Sequence, residues 1–299
     1  MNTPMFLRLS DWLDRIHKVR EHYRKKFGSY PNLFRPKSFG EKMQWRKLFD
    51  NNALFTVFSD KYEVRSYVEE RGFGEHLVPV LWVGDDLEQL HLHALSPPFV
   101  IKSTHGWHQT IIVRDSEFDA EAIKTEIGGW LKHCHGSNEV EPGYLKVPRR
   151  IIVEKLLMST DGRPPNEYKL FVFDGVVQVI NRIVTEHDRS AHSSFHRKNW
   201  ERLAWRGHRN PLEGNAPQPE NLQTMIDIAE GLGRGLDHVR VDLYDCDGRI
   251  YVGEITIYSW SGWNNLKPET ADTELGSYWT IKSPASRAWQ AVTRSSWGV

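Results

Sequence analysis

Hydrophobic and polar residues follow two different periods along the chain, and the first region has the helical one. Up to about residue 50, the sequence predicts helices that are interrupted by a loop over 28–42, where Pro and Gly cluster. Trp12, Ile16, Val19 and Tyr23 recur at spacings of three and four, so they share one face of the opening helix. Basic residues surround this face. Such a helix either packs on its own domain, which is the commoner arrangement, or lies on an anionic membrane surface.

The middle of the chain changes between helical and strand patterns. Residues 59–72 predict a helix that Ser59 or Asp60 caps and Gly72 ends. A second helix is expected over 119–135. Short apolar runs predict strands over 76–84, 99–104, 109–115 and 149–157.

The second half of the chain begins with a strong hairpin signal. Apolar residues fill 167–184 on both sides of an Asp-Gly pair at 174–175, the sequence that a two-residue hairpin turn prefers. The polar, His-rich segment 185–221 has few strand signals, and we interpret it as a long functional loop. An amphipathic helix is predicted over 221–236. Helices combined with antiparallel hairpins favour an α+β protein of two or three lobes.

A second hairpin, over 239–256, carries carboxylates in strands that otherwise bury apolar side chains. If residues 246–248 form a three-residue loop, Arg240, Asp242 and Glu254 share one face. The two carboxylates are then diagonal neighbours about 5–8 Å apart, and they need a cation or a proton between them. Magnesium fits this place, with Arg240 as a phosphate clamp. The alternative is an Arg240–Glu254 salt bridge on a solvated face.

Composition excludes several classes of protein. The 39 basic and 39 acidic residues cancel, which argues against a dedicated nucleic-acid binder. Two cysteines, Cys134 and Cys246, lack the spacing of a zinc knuckle and are too few for a disulfide framework. The chain has no apolar run of about 18 residues, and its first residues lack the apolar core of a secretory signal. We therefore expect a cytoplasmic protein without stable membrane insertion.

Six motifs, taken together and in order, resemble the ATP-grasp superfamily and, within it, the TupA-like branch named for teichuronopeptide biosynthesis. They read SFGEKMQWRKLFDNN, SDKYEVRSYV, VIKSTHG, NEYKLFVFDG, HRKNW and VRVDLYDCDGRIYVGEIT, and they cover residues from about 36 to about 265. The resemblance implies an α+β ATP-grasp fold, in which two α+β lobes grip ATP and a reduced helical N-terminal region precedes them. The expected boundaries are 1–58 for the helical region, 59–155 for the smaller lobe with its lid loop, and 156–299 for the larger lobe with the metal hairpin and the substrate loop.

The resemblance also implies a role for each site residue. Arg240 and Lys169 are expected to act catalytically on the transferring phosphoryl group, and Asp242, Glu254 and Thr256 are expected to hold Mg²⁺. Thr256 stands where the superfamily usually has Asn. The residues expected to bind ATP are Lys61, Lys102, His105, Gly106, Glu154, Lys155, Leu156 and Lys169.

The hinge and the lid loop carry more specific expectations. Glu154 is expected to accept a hydrogen bond from the adenine amino group, with the backbone near Lys155 and Leu156 along the ring edge. The lid loop has one glycine, Gly106, where many ATP-grasp enzymes have several. Side chains such as His105 are therefore expected to supply phosphate contacts, or the lid closes differently.

The implied activity is that of an ADP-forming, ATP-dependent carboxylate–amine ligase, which makes an amide through an acyl phosphate. The expected substrates are a glycan or uronic-acid carboxylate and an amine, in surface-polysaccharide biosynthesis, and association with glycan-assembly enzymes is a further expectation. Two alternatives remain open: an ATP-grasp kinase that phosphorylates a sugar or other small molecule, and a non-catalytic nucleotide-binding scaffold.

Substrate-binding candidates come mainly from the His-rich loop. Its histidines are too irregularly spaced to indicate a zinc site. A solvated polar loop explains each candidate equally well. The candidates are Arg182, His187, Arg189, His196, Lys198 and Ser261.

Overall fold

The structure, a computed structural model, describes residues 5–133, 140–186, 188, 190–214 and 216–281. Its helices are α1 (Met5–Phe27), α2 (Phe39–Phe49), α3 (Leu54–Ser59), α4 (Val64–Glu70), α5 (Ala120–Trp130), α6 (Leu222–Gly233) and α7 (Thr270–Ser277). Its strands are β1 (Val80–Gly84), β2 (Phe99–Ser103), β3 (Thr110–Val113), β4 (Ile151–Lys155), β5 (Asn166–Phe173), β6 (Val176–Thr185), β7 (Ala191–Arg197), β8 (Arg202–Leu203), β9 (Asn210–Pro211), β10 (His238–Cys246) and β11 (Arg249–Thr256).

Two sheets organise the chain, and each has its own core. The smaller sheet has the order β1-β4-β2-β3, and the larger has the order β11-β10-β5-β6-β7-β8, with β9 paired to β7. All these pairings are antiparallel except β7–β9. Helices packed on antiparallel sheets make the predicted α+β class. The predicted lobe boundaries stay predictions.

The larger sheet is covered by helices on both faces. Helix α6 lies against β5 and β10, and it comes so close that a Cβ on Gly233 would lie 2.5 Å from Cγ1 of Val172. On the other face, Phe39 of α2 packs edge-on against Phe171, with ring centroids 6.1 Å apart. Because both faces are covered, β5 is buried from Tyr168 onward and β10 is buried up to Leu243, including its polar residues.

The opening helix packs on its own domain. Val19 and Tyr23 are buried, and the ring centroid of Trp12 lies 6.0 Å from that of Phe49 in α2. These contacts use the apolar face that a membrane surface would otherwise need. Within the described part of the chain, no helix is long and apolar enough to cross a membrane.

Helix α2 connects the N-terminal region to the larger sheet. Ser38 and Glu41 form a capping box at its first turn. From its third turn, the fully buried Arg46 contacts Asp237 at 2.6 Å and donates to the carbonyl oxygens of His238 and Ile257, both at 3.0 Å. Asp50 lies 3.6 Å from the Arg46 guanidinium. We call Arg46, Asp50 and Asp237 the base cluster, because they hold together the two ends of the β10–β11 hairpin.

The interpretation of 185–221 as one long loop is wrong. Ala191–Arg197 forms the full strand β7, and two short strands follow it. The apolar pattern that predicts a buried strand is missing here, because most residues of β7 are polar. Even so, the strand buries Ser193, Ser194, Phe195 and His196. Pairing with β6 satisfies the backbone of this strand, so a polar segment can be buried without an apolar pattern.

The helix predicted over 59–72 is shorter than expected. It begins at Val64, after a turn in which the Asp60 carboxylate accepts from the amides of Tyr62 and Glu63 at 2.8 and 3.3 Å. Asp60 therefore orders this turn rather than the helix itself.

Candidate active site

The β10–β11 hairpin has a two-residue turn and a bulge, so the predicted three-residue loop is wrong. Asp247 and Gly248 form the turn with φ of 51° and 86°, and Cys246 pairs with Arg249. Further along, Gly253 is an extra residue in β11 that has no partner in β10. A two-residue turn alone would move the carboxylates to different faces, and the bulge restores the register.

Because of the bulge, Asp242 lies directly opposite Glu254, and Arg240 lies opposite Thr256. The predicted shared face is therefore correct, whereas the predicted diagonal relation is not. Gly253 is required at this place, since a Cβ there would lie 2.4 Å from Cε2 of Tyr244.

A buried ion cluster occupies this face. Nε and Nη2 of Arg240 donate to the two carboxylate oxygens of Asp242, at 2.6 and 2.7 Å. Nζ of Lys169 in β5 donates to the same carboxylate at 2.6 Å. Asp242 is 2% exposed and Arg240 is 6% exposed. The alternative of an Arg240–Glu254 pair on a solvated face is thus not what the structure shows. We call Lys169, Arg240, Asp242 and Glu254 the site cluster.

Ion pairing outweighs burial for both members of the fork. Burial raises the pKa of Asp242, but the charges of Arg240 and Lys169 hold it below its usual value. Burial likewise lowers the pKa of Arg240, and Asp242 raises it above the usual value. Both groups are therefore charged at neutral pH.

Two further lysines lie at or beside the smaller sheet: Lys102 in β2, and Lys61 in the turn before α4, where its amide donates to the carbonyl oxygen of Thr104 at 3.1 Å. Lys102 of β2 binds Glu154 of β4 at 2.8 Å, and Arg65 lies 3.5 Å from the other oxygen of that carboxylate. Lys61 donates to the carbonyl oxygen of Gly106. Burial lowers the pKa of Lys61, opposed by Glu254 and further lowered by Lys102. Lys61 is thus in electrostatic reach of both sheets.

The lid loop, residues 104–109 between β2 and β3, is bonded to helix α5. His105 is buried, and its Nε2 lies 3.0 Å from the carbonyl oxygen of Trp130 in α5. Its ring therefore anchors the loop to α5, and its expected contact with a phosphate stays a prediction. Gly106 has no room for a side chain, because a Cβ would lie 2.3 Å from Oε1 of Gln109. Trp107 is 49% exposed at the tip.

The hinge residues are bonded to the smaller sheet. The amide of Lys155 donates to the carbonyl oxygen of Pro79 at 3.0 Å, and that of Leu156 donates to Pro98 at 3.2 Å. Glu154 is held by Lys102, as described above. The expected contacts of these three residues with adenine stay predictions.

Three of the predicted substrate residues are not on the face of the site cluster. Side chains alternate along a strand, and Arg182 and His196 lie on the opposite face from Lys169. His196 contacts Ser194 Oγ at 2.9 Å and stacks on Trp200, with ring centroids 4.0 Å apart. Lys198 binds Glu230 of α6 at 2.6 Å on that side. His187 and Arg189 lie outside the described residues.

Ser261 belongs to a constrained turn after β11. Trp260 and Ser261 have φ of 52° and 56°, a strained region for residues other than Gly. The Ser261 hydroxyl accepts from the buried Lys47, and its carbonyl accepts from Gln44 at 3.0 Å. Helix α2 therefore holds this turn next to the hairpin. Substrate contact by Ser261 stays a prediction.

Sequence reasoning missed two polar residues on this face. Glu167 binds Lys169 at 2.5 Å, and the Glu-x-Lys alternation at the start of β5 was its signal. Asn181 of β6 lies directly opposite Lys169, and it interrupts the apolar run from Val179 to Val184 together with Arg182. His208, from the segment after β8, has Lys169 among its electrostatic neighbours; burial, Arg209 and Lys169 together lower its pKa.

The donor set fits magnesium and a phosphate chain. Asp242 and Glu254 offer hard carboxylate oxygens from paired positions, which suit Mg²⁺. Lys169 adds positive charge at Asp242, and Lys61 lies within electrostatic reach of Glu254 and of Lys102. Thr256 accepts from Arg240 at 3.2 Å, and its role as a metal ligand stays a prediction. Among the described residues, no group of three or more His, Cys, Asp or Glu side chains could hold a metal, so a zinc-type site is not found there.

Comparison with known families gives one match over most of the chain. A family model described as TupA-like ATPgrasp matches residues 41–280. No curated protein matches the chain.

Solved structures with similar folds are ATP-grasp ligases at low sequence identity. D-alanine–D-alanine ligase from Bacillus anthracis complexed with ATP is 16% identical over 67% of this chain and 55% of its own, with a TM-score of 0.41. The Helicobacter pylori D-alanine–D-alanine ligase is 14% identical over 75% and 62%, with a TM-score of 0.43. The ligase PsnB, complexed with a phosphomimetic variant of its minimal precursor, Mg and ADP, is 15% identical over 79% and 59%, with a TM-score of 0.40. The chain thus spans less than two thirds of the length of these proteins.

Proposed function

The chain belongs to the TupA-like ATP-grasp family, an ATP-dependent ligase fold that uses ATP and Mg²⁺, and we propose that it joins a carboxylate to an amine through an acyl phosphate. The carboxylate is proposed to belong to a uronic acid or glycan of surface-polysaccharide biosynthesis. A cytoplasmic location and association with glycan-assembly enzymes are parts of the same proposal.

One observation carries the proposal: the site cluster concentrates charged side chains around the buried Asp242, and Lys61 lies close enough to interact with Glu254 electrostatically. Two cations, Lys169 and Arg240, share the single carboxylate of Asp242. Lys61 lies within electrostatic reach of Glu254 and of Lys102. Phosphoryl transfer needs such concentrated positive charge more than it needs a protein nucleophile.

The chain's own residues would act as follows. Asp242 and Glu254 would hold Mg²⁺, which supplies charge neutralisation at the phosphates when it is bound. Arg240 is fixed by its two bonds to Asp242, so its guanidinium is oriented before substrate arrives. Lys169 is fixed by Glu167 and Asp242, and it would donate to the transferring phosphoryl group.

In this proposal, Glu154 links recognition of the adenine ring to the position of Lys102 at the phosphates. It holds Lys102 by an ion pair, and it is also the residue proposed to accept from the adenine amino group. When the amino group takes one of its oxygens, Lys102 is freed to reach the phosphates. Positioning of ATP would thereby precede phosphoryl transfer.

The two chemical steps are balanced as follows. A carboxylate oxygen bonds to the γ-phosphorus, the bond from that phosphorus to the β-phosphate bridging oxygen breaks, and ADP leaves. The amine nitrogen then bonds to the acyl carbon, and the carbon–oxygen bond to phosphate breaks. Phosphate leaves with the electron pair and takes up the amine proton.

Hydroxylamine trapping tests the proposal. The protein with Mg·ATP is screened for ADP release against uronic acids crossed with amino acids and amino sugars. With each uronic acid that supports ADP release, added hydroxylamine should give a hydroxamate, because it intercepts the acyl phosphate. A stable product phosphorylated on a hydroxyl group would instead establish a kinase, and absence of ADP release with every pair would contradict the proposal.

A further inference from the structure

Asn181 is a buried amide with an unused acceptor. It is 2% exposed, and its Oδ1 has no hydrogen-bond partner among the described residues. A buried polar atom without a partner is destabilising, so such an atom needs an explanation. A ligand that donates to it when bound is one such explanation.

The position of Asn181 places it next to the phosphoryl-transfer residues. It lies directly opposite Lys169 in the β5–β6 register, and Lys169 lies directly opposite Asp242. Residues that face each other across antiparallel strands point to the same side of the sheet. Asn181 therefore lies on the face of the site cluster, on the side of Lys169 away from Asp242 and Glu254.

A second amide with an unused polar atom, Asn264, lies near Phe195, the ring next to Asn181. Phe195 is the register partner of Asn181 in β7. A Cβ on Gly207 would lie 3.6 Å from Cζ of Phe195 and 3.9 Å from Nδ2 of Asn264, so Gly207 brings these two side chains together. Nδ2 of Asn264 is also buried and has no hydrogen-bond partner in the described part of the chain. An unused acceptor and an unused donor thus flank one aromatic ring.

We propose that Asn181 and Asn264 form the subsite for the amine substrate, beside the lysine that contacts the transferring phosphoryl group. Asn181 Oδ1 accepts an N–H of the primary amine, and Asn264 Nδ2 donates to an oxygen of the same molecule. The two contacts select a substrate with an amine and a nearby carboxylate or hydroxyl oxygen, which describes an amino acid or an amino sugar. The inference rests on the proposed function, since it names the acceptor of that reaction.

The subsite has a defined part in the reaction. With the amine held as the free base, its nitrogen lone pair is available to the acyl carbon while one N–H is bound to Asn181. Carbon–nitrogen bond formation breaks the carbon–oxygen bond to phosphate, and the leaving phosphate takes the proton. Phe195 excludes water from the same place, which protects the acyl phosphate from hydrolysis.

Direct binding tests the subsite without knowledge of the carboxylate. Calorimetric titrations with L-glutamate, glucosamine and ethanolamine are made on the full chain in the presence of Mg²⁺ and a non-hydrolysable ATP analogue. We expect at least one amine to bind, and Asn181→Leu to weaken it about tenfold or more, as for one lost hydrogen bond to a polar group. Asn181→Ala gives the same measurement if the Leu variant fails to fold.

A control on the other face of the sheet separates binding from folding. Ser194→Ala also removes a buried polar group, but one that bonds His196 away from the site cluster. It should leave amine affinity within about twofold, the usual limit for independent sites. Asn181→Leu should keep the affinity for the ATP analogue, and its Tm should fall little, because the buried Oδ1 that it removes had no hydrogen-bond partner among the described residues.

The outcomes distinguish this inference from the proposed function. If none of the three amines binds, or if Asn181→Leu binds them as the wild type does, the subsite is wrong. A hydroxamate formed by the wild type in that case would leave the ligase proposal standing. Conversely, Asn181-dependent amine binding without any hydroxamate would contradict the acyl phosphate and not the amine site.

Discussion

Two buried arginine–aspartate clusters contact the same β10–β11 hairpin, and the partners of their arginines differ. In the base cluster, Arg46 binds Asp237 and the carbonyl oxygens of His238 and Ile257, and it stacks 4.3 Å from the ring centroid of Trp279. In the site cluster, Arg240 binds side chains that come from two strands of one sheet. Arg46 of the base cluster connects backbone carbonyl groups at the two ends of the hairpin, whereas the site cluster concentrates charged side chains on one face of the sheet.

This difference indicates different roles for the same residue pair. The partners of Arg46 are a carboxylate, two carbonyl oxygens and an aromatic ring that hold elements of the fold together. Breaking the base cluster should therefore lower the free energy of unfolding. The site cluster instead consists of charged side chains from three strands, and Lys61, from outside the larger sheet, lies within electrostatic reach of its member Glu254. Breaking it should cost turnover more than stability.

The largest effect is expected for Asp242→Asn, which breaks the site cluster. Loss of this charge removes a proposed magnesium ligand and the orientation of Arg240, so kcat for ADP release should fall about 10²–10³-fold. The measurement is ADP release with a productive substrate pair. Asp237→Asn is the matched control, because it makes the same change in the base cluster; its folded fraction should keep wild-type turnover. Equal loss of turnover in both variants would contradict the comparison.

The next effect is expected for Arg46→Met, which breaks the base cluster. Removing one partner of a buried pair leaves Asp237 uncompensated, so the free energy of unfolding should fall by about 3 kcal/mol. Urea unfolding followed by Trp fluorescence measures it. Arg202→Met is the control, since Arg202 is exposed and bonds only loop carbonyl groups among its described hydrogen bonds. A loss no larger than that of Arg202→Met would mean that Arg46 does not hold the hairpin ends.

The smallest effect is a pH dependence that His238 adds beside the base cluster. Burial, and then the charge of Arg46, hold the pKa of His238 well below its usual value. The unfolded chain therefore binds a proton at a pH where the folded chain does not, so this contribution to stability is full above about pH 6.5 and falls as the pH is lowered. The slope is at most about 1.4 kcal/mol per pH unit.

His238→Phe should remove this part of the slope, because Phe fits among the neighbouring rings of Phe39, Phe173 and Trp279 and does not titrate. Urea unfolding at pH 7 and pH 5 measures the difference from the wild type. His17→Phe on the exposed side of α1 is the control and should leave the slope unchanged. A slope that persists in His238→Phe would assign the pH dependence to other groups.

Local patterns predicted a large part of the fold. Asp174-Gly175 specified its hairpin, because both residues tolerate the positive φ of 49° and 81° that this turn needs. The strands β1 to β4 and the helix α6 also follow their patterns, since apolar periodicity reports burial. Strand β7 did not, because its burial comes from its neighbours and not from its own apolar residues.

The candidate site shows the same division. Alternation in 239–256 predicted that Arg240, Asp242 and Glu254 share a face, and the structure agrees. The bulge at Gly253 was not predicted, because the contact that requires a glycine there is with the ring of Tyr244 in the paired strand. His196 and Lys198 were expected near the site, yet they lie on the other side of the sheet. The identity of a residue alone does not tell which face of a sheet its side chain occupies.

The sequence by itself determined the family, the α+β class and the face that Arg240, Asp242 and Glu254 share in the β10–β11 hairpin. These features depend on short-range rules: strand alternation, turn conformation and the order of motifs. Only the tertiary structure decided that Lys169 shares Asp242 with Arg240, that Arg46 closes the hairpin ends, and that Asn181 has an unused acceptor. Each of these is a contact between residues far apart in the chain, and side-chain partners are chosen by register and packing, which no local pattern encodes.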